Sequence, residues 1–277
     1  MKKFWKMHGA GNDFIAIDGR FDNIDSNDYS NFALEVCHRK FGVGADGVLI
    51  VKNSNVADVE MVYYNSDGSR GEMCGNGIRC FSKFVYENNI IKKDIFTVDT
   101  LDGIKTIELI LDKDNNIELV KVDMGKANFN SSAVPVSTEK DMFIEEKISV
   151  LDKEFIVSSI LMGVPHTVIF VDKLDKDLVL KYGSNLETHE VFPKKCNINF
   201  VEIIDRDNIK VCTWERGCGY TLACGTGMTS AVIVANYLDK TNKKVNVFSE
   251  GGKVCIDINN DCTYMVGCAV KVFEGII

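Results

Sequence analysis

The run Val59-Glu60-Met61-Val62-Tyr63-Tyr64, followed by Asn65-Ser66-Asp67-Gly68 and then by Cys74-Gly75-Asn76-Gly77, decides how this chain is read. The first segment is β-rich, the second is made of turn formers, and an apolar periodicity from about Ile78 to Glu87 predicts a helix after the Cys-Gly-x-Gly turn. The same order recurs downstream. Ile209 to Trp214 reads as a strand, Glu215-Arg216-Gly217-Cys218-Gly219 as a turn, Cys224-Gly225-Thr226-Gly227 as a loop, and Met228 to Leu238 as a helix. Cys224 follows Cys74 by 150 positions and Glu215 follows Asn65 by the same 150. Two different landmarks shifted by one interval indicate an internal duplication. The expected fold class is α/β (α+β), with two lobes of mixed or antiparallel sheet.

Outward from these turns, Asp13 to Asp18 and Gly47 to Val51 read as strands and Tyr29 to Lys40 as a helix. A weaker echo pairs Asn12 to Asp18 with His166 to Asp172, offset by 154. The polar stretch from Asp112 to Asn130 interrupts the strand patterns and is the expected boundary between the halves. The closing strand Cys268 to Phe273 is expected to return to the first half. These expectations assign residues 1–122 with 266–277 to an N-terminal lobe and residues 123–265 to a C-terminal lobe.

With 277 residues, 45% of them hydrophobic and 26% charged, the composition is that of an ordinary globular protein with room for a substantial core. A formal charge of -8 opposes the phosphate attraction that nucleic-acid binders need, so a small molecule is the expected partner. The basic start, Lys2 to Lys6, is followed by His8, Gly9, Asn12 and Asp13, which break any signal-peptide apolar region. The longest apolar candidate, Ala231 to Tyr237, falls far short of the roughly 18 residues of a membrane helix, and a cytoplasmic protein without membrane or nucleic-acid partners is expected. Ten cysteines are too few for a disulfide scaffold of this length, and spacings of six such as Cys74 to Cys80 do not match zinc knuckles, so no metal is expected.

Each Cys-Gly-x-Gly turn places a thiol just before a helix, where free backbone N–H groups and the helix dipole favour negative charge. The thiol pKa is therefore expected below its usual value of about 8.5. Two such starts facing each other would hold a carboxylate between their amide donors, with the adjoining Cα between the two sulfurs. One thiolate could then remove an α-hydrogen while the opposite thiol protonates the other face, with the amides stabilising the charge that develops and no cofactor required. A single turn of this kind reads as well as a buried structural cysteine. Neither turn carries the fingerprint of a phosphate loop.

At these residues the sequence resembles the diaminopimelate epimerase family along nearly its whole length. The resemblance is carried by Met7-His8-Gly9-Ala10-Gly11-Asn12-Asp13-Phe14, Phe41-Gly42-Val43-Gly44-Ala45-Asp46-Gly47, Asn65 to Gly68, and Met73-Cys74-Gly75-Asn76-Gly77-Ile78-Arg79-Cys80. Further along are Gly163-Val164-Pro165-His166, Phe192-Pro193 with Asn197, Trp214 to Gly217, and Ala223-Cys224-Gly225-Thr226-Gly227. It implies a cytoplasmic homodimer that interconverts LL- and meso-diaminopimelate without a cofactor, in lysine and peptidoglycan precursor synthesis. It also implies two pseudo-symmetric lobes, each a curved sheet wrapped round a central helix, with the active site in the cleft between them. By the same resemblance Cys74 and Cys224 are the acid/base thiols, and Gly75, Asn76, Gly225 and Thr226 hold the reacting carboxylate. Asn12, Asn65, Asn197, Glu215 and Arg216 hold the other polar groups of the substrate, and His166 and Glu215 tune the thiols. Without that context Asn12 and Asn65 could be turn caps, and His166 a packed core residue.

Three positions depart from the commonest family pattern: Val164 replaces an asparagine, Tyr220 a glutamate, and Gly47 a glutamine found in some relatives. None touches the two cysteines. The competing readings are a histidine- or proline-type racemase and a ligand-binding relative without activity. Proline-type relatives usually carry histidine where this chain has Asn76. Facing thiols could also join as a disulfide on oxidation, which would make the site a redox sensor.

Overall fold

In the computed structural model, residues 2–21, 26–259 and 262–277 are described. Contacts between backbone positions divide the chain into two compact units, Met1–Asp123 with Val266–Ile277, and Met124–Met265. Among the described residues there are 18 strands and four helices.

In the first unit the apolar runs give β1 (Lys3–Gly9), β2 (Asn12–Asp18), β3 (Gly47–Lys52) and β4 (Val59–Asn65), with the helix α1 (Ser26–Val36) between β2 and β3. The short β5 (Arg70–Gly71) leads into α2 (Gly75–Glu87), and β6 (Ile95–Thr100), β7 (Gly103–Leu111) and β8 (Ile117–Gly125) follow. β1 pairs antiparallel with β2, β2 parallel with β3, β3 antiparallel with β4, β4 antiparallel with β5 and parallel with β6, and β6 to β8 form an antiparallel meander. The outer edge of β1 is taken by the last strand of the chain, Val270–Ile276, which runs antiparallel to it.

The second unit repeats the plan. β9 (Phe143–Val150), β10 (Lys153–Met162) and β11 (Val164–Phe170) are followed by α3 (Lys176–Glu187), β12 (Asn197–Asp205), β13 (Asn208–Glu215) and β14 (Gly219–Thr221). Then come α4 (Gly225–Tyr237), β15 (Lys244–Ser249), β16 (Gly252–Asn259) and β17 (Cys262–Gly267), and Val270–Ile276 is β18. The pairings match in order and direction: β10 antiparallel to β11, β11 parallel to β12, β12 antiparallel to β13, β13 parallel to β15, and β15 antiparallel to β16. β9 lies against β10 as β18 lies against β1. Both units are therefore mixed sheets, each with its own long helix.

The two long helices bury different faces for different reasons. α2 carries Ile78, Phe81, Phe84 and Val85 into the core against β1, β2 and β3, with the Phe84 ring edge-on to Trp5 at 5.3 Å. Each such fully buried side chain contributes about 1.5–3 kcal/mol relative to exposure. α4 is apolar on nearly all sides; Met228, Ala231, Val232, Val234 and Ala235 are buried, and it contacts β10 to β13 together with β15 and β16. A helix of that composition is buried over most of its length, and only its last residue, Tyr237, is exposed.

The helix starts differ from the sequence expectation by three residues. The glycine turns are themselves the first turns of α2 and α4, so Cys74 and Cys224 are the N-caps, both with extended backbone. The third position of each turn is small because of packing. A Cβ on Gly227 would lie 2.3 Å from Asn199 Oδ1, and one on Gly77 would meet Leu49 and Phe14 at 3.3 Å. α1 also ends earlier than expected, at Val36 rather than Lys40. There the His38 ring accepts the N–H groups of Lys40 and Phe41 and turns the chain aside. α3 was not expected; its signal is the N-cap Asp175, whose carboxylate accepts from the Asp177 N–H.

Candidate active site

In the first unit, α2 holds the half-buried Cys74 at its start. The Cys74 sulfur accepts the Gly77 N–H at 3.4 Å, and its thiol points to Asn12 Oδ1 at 3.4 Å. Asn12, at the start of β2, is oriented by donating its amide to Asp46 at 2.7 Å. Asp46 and Asp13 are in turn bridged by the Arg39 guanidinium, and Lys6 pairs with Asp13. Asn65 closes β4; its amide donates to Ser69 at 3.0 Å and its oxygen accepts from the Tyr63 hydroxyl. Asn76 is buried, with its side-chain oxygen taking an N–H of Arg79 at 3.0 Å. A second Arg79 N–H goes to the Gly75 carbonyl, also at 3.0 Å.

In the second unit, α4 holds Cys224, which is 7% exposed, with the Thr226 hydroxyl 3.5 Å from its sulfur. Glu215, at the end of β13, takes the Thr221 hydroxyl at 2.6 Å. Asn197 sits at the start of β12; it donates to the Pro165 carbonyl and accepts the Arg216 backbone N–H, both at 2.9 Å. That pair of bonds fixes the chain on either side of it. The Arg216 side chain is exposed and reaches the Lys194 carbonyl at 3.3 Å. His166 is fully buried on β11, opposite Asn197 in the parallel register, with Nδ1 3.2 Å from the Asn199 amide.

The electrostatics correct one expectation. Burial, and after it the Glu215 carboxylate, pushes the Cys224 thiol well above its ordinary value, which favours the neutral thiol at this helix start. Desolvation of the charged sulfur outweighs the donors of the first helical turn. Burial, with the Arg216 charge adding to it, likewise takes His166 down to about 3, so the imidazole is neutral and acts as a dipole near the site rather than as a cation.

Two residues escaped the sequence reading. Asn199 is fully buried; its amide also reaches the Thr167 carbonyl at 3.1 Å, and its oxygen accepts from the Thr213 hydroxyl at 3.0 Å. The signal was available, because Asn197 and Asn199 alternate with Ile198 and Phe200 and so share one face of a strand. Arg79 is the other: a charged residue inside an apolar helical period reads as a surface position, yet it is fully buried.

The fold is shared with solved structures of low sequence identity. A probable proline racemase from Agrobacterium radiobacter superposes with a TM-score of 0.74 over 100% of this chain and 93% of that one, at 12% identity. A Bacillus anthracis phenazine biosynthesis protein of the PhzF family gives 0.71 over 100% and 99%, at 16% identity. By sequence the chain belongs to the diaminopimelate epimerase family, whose model matches residues 4–130 and 158–272. It is 47% identical to the diaminopimelate epimerase of Alkaliphilus metalliredigens over 99% of this chain and 96% of that one. The identity is 45% with that of Clostridium perfringens, over 99% and 98%.

Proposed function

We propose that the protein is an isomerase that interconverts LL- and meso-diaminopimelate, with Cys74 and Cys224 as its acid/base pair. The observation that carries this reading is the thiol at the N-cap of a buried glycine-rich helix start, repeated at the same place in both units of a chain from this family. In the reaction one thiolate takes the α-hydrogen, and the electrons of the Cα–H bond pass into the Cα–carboxylate system. The other thiol then gives its proton to the opposite face of Cα. The backbone N–H groups of Gly75, Asn76, Gly225 and Thr226 would stabilise the charge on the carboxylate as it grows. Asn12, Asn65, Asn197, Glu215 and Arg216 would receive the remaining polar groups, Arg216 suiting a carboxylate and Glu215 an ammonium. His166 would support the second thiol indirectly, through Asn199 packed against Gly227. The reading needs no cofactor, and we place the protein in the cytoplasm as a homodimer, as the family resemblance implies.

The test is solvent deuterium incorporation at Cα with reduced protein, no cofactor added, and LL-diaminopimelate, L-histidine and L-proline supplied separately. Exchange with diaminopimelate alone is expected. Cys74→Ser and Cys224→Ser should each lower its turnover at least a hundredfold, since acid/base groups contribute about 10²–10⁴. Exchange only with histidine or proline would move the substrate, and exchange with none would overturn the reading.

A further inference from the structure

Arg79 lies on α2 one turn beyond Cys74 and is fully buried. Its guanidinium ties the first helical turn together: Nη1 donates to the Gly75 carbonyl and Nη2 to Asn76 Oδ1, each at 3.0 Å, while Nε donates to the Cys268 carbonyl at 3.2 Å. Gly9 makes room for it; a Cβ there would lie 3.0 Å from Nη2 and 2.9 Å from the Asn76 carbonyl.

The offset of 150 residues puts Thr229 at the matching place in α4. Thr229 is also fully buried, and its hydroxyl donates to the matching acceptor, the Gly225 carbonyl, at 2.9 Å. The same backbone oxygen is thus satisfied by a cation in one unit and by a neutral hydroxyl in the other. Arginine remains protonated in proteins, so the charge beside the first helix start is permanent. The charged group beside the second is the opposite one, the Glu215 carboxylate.

We propose that Arg79 is a positioning residue that makes the two thiols inequivalent, so that the resting enzyme holds Cys74 as the thiolate and Cys224 as the thiol. This rests on the two-thiol reading and adds the resting state to it. The groups facing Cys74 favour this state on balance. The Gly77 N–H, the start of α2 and the Arg79 charge favour the thiolate. Asn12 Oδ1 favours the thiol through one long 3.4 Å contact, and the Asp46 carboxylate behind it already shares the Arg39 guanidinium with Asp13. Burial lowers the Arg79 pKa, and the sulfur charges of Cys80, Cys74 and Cys268 act against that, so the guanidinium and the Cys74 sulfur stabilise each other's charge. Cys80 is itself pushed up to about 12 by burial, so of the two α2 cysteines beside this cation the half-buried Cys74 is the one poised to ionise; Cys268, the third sulfur it faces, is exposed on the segment after β17 and lies outside the helix start.

The experiment is brief iodoacetamide alkylation of the full-length protein across pH 5–10, read by peptide mass spectrometry and normalised to each site's plateau. The Cys74 midpoint should lie below the Cys224 midpoint by at least about one pH unit, the scale on which a single close charge acts. Arg79→Met should raise the Cys74 midpoint by about one unit and leave that of Cys224 in place, and Arg79→Lys should bring it back. Equal or reversed midpoints in the unsubstituted protein would overturn the proposal, and so would an unmoved Cys74 midpoint in folded Arg79→Met. If Arg79→Met does not fold, the order of midpoints in the unsubstituted protein still decides. Loss of deuterium incorporation with that order intact would count against the epimerase reading and not against this one.

Discussion

A single side chain, His166, makes the stability of the fold sensitive to acid. It is neutral and buried in the folded protein, with its pKa at about 3, whereas in the unfolded chain it returns to the ordinary value near 6.5. Between these values the unfolded state binds the extra proton, so stability is complete above pH 6.5 and is lost progressively as pH falls toward 3. Replacing the imidazole by a neutral amide removes that linkage. His166→Gln is therefore expected to flatten the fall of the urea midpoint between pH 6.5 and 4.5, and an unchanged slope would sink the assignment. The same residue shows what the sequence could and could not reveal. A histidine after Pro165 was legible as part of the site's sequence neighbourhood, but its protonation state depends on burial by β10 and β12, which no local pattern reports.

At the level of elements, the two helix starts look alike in sequence and are built differently. In an ordinary helix interior, glycine to alanine stabilises by about 1 kcal/mol. At Gly227 the added methyl would meet Asn199 Oδ1 at 2.3 Å and Thr213 Oγ1 at 3.2 Å, atoms already engaged in buried hydrogen bonds. Gly227→Ala should consequently destabilise by about 1–3 kcal/mol, as overpacking of a tight interior does. Gly77→Ala meets only carbon, at 3.3 Å, and should cost less. Urea denaturation of both variants gives the order, and a smaller loss at Gly227 than at Gly77 would contradict the packing described. The strands β2, β3, β4 and β13 were legible because each is a short apolar run bounded by turn formers. α3 was not, because its residues Lys176 to Glu187 alternate charge with apolar character and its start is marked by one capping aspartate. The glycine turns do not look helical in the sequence because glycine is a poor helix former, whereas crowding at positions 77 and 227 requires it there.

Across the whole molecule, the duplication extends beyond the two landmarks that revealed it. Both units have the same ladder of pairings, and both complete it with an antiparallel strand on the outer edge of the first hairpin. The source of that strand differs. β9 reaches β10 through the tight turn at Leu151 and Asp152, a local contact, whereas β18 reaches β1 from the other end of the sequence. Removing the last eight residues should thus act on one unit alone. It would take from β1 a full register of partners, Lys3 with Ile276 through His8 with Val270. It would also uncover the Phe4 ring, which lies over Gly275 and stands edge-on to Phe273 at 6.0 Å. A strand edge with unpaired N–H groups beside exposed aromatic surface is unstable and prone to association. In a chain ending at Ala269, hydrogen exchange should accelerate at least tenfold in β1 and β2 and stay unchanged in β9 and β10. Equal loss of protection in both hairpins would mean that the units do not keep separate stabilities, and unchanged protection in β1 would mean that β18 is not what holds its edge.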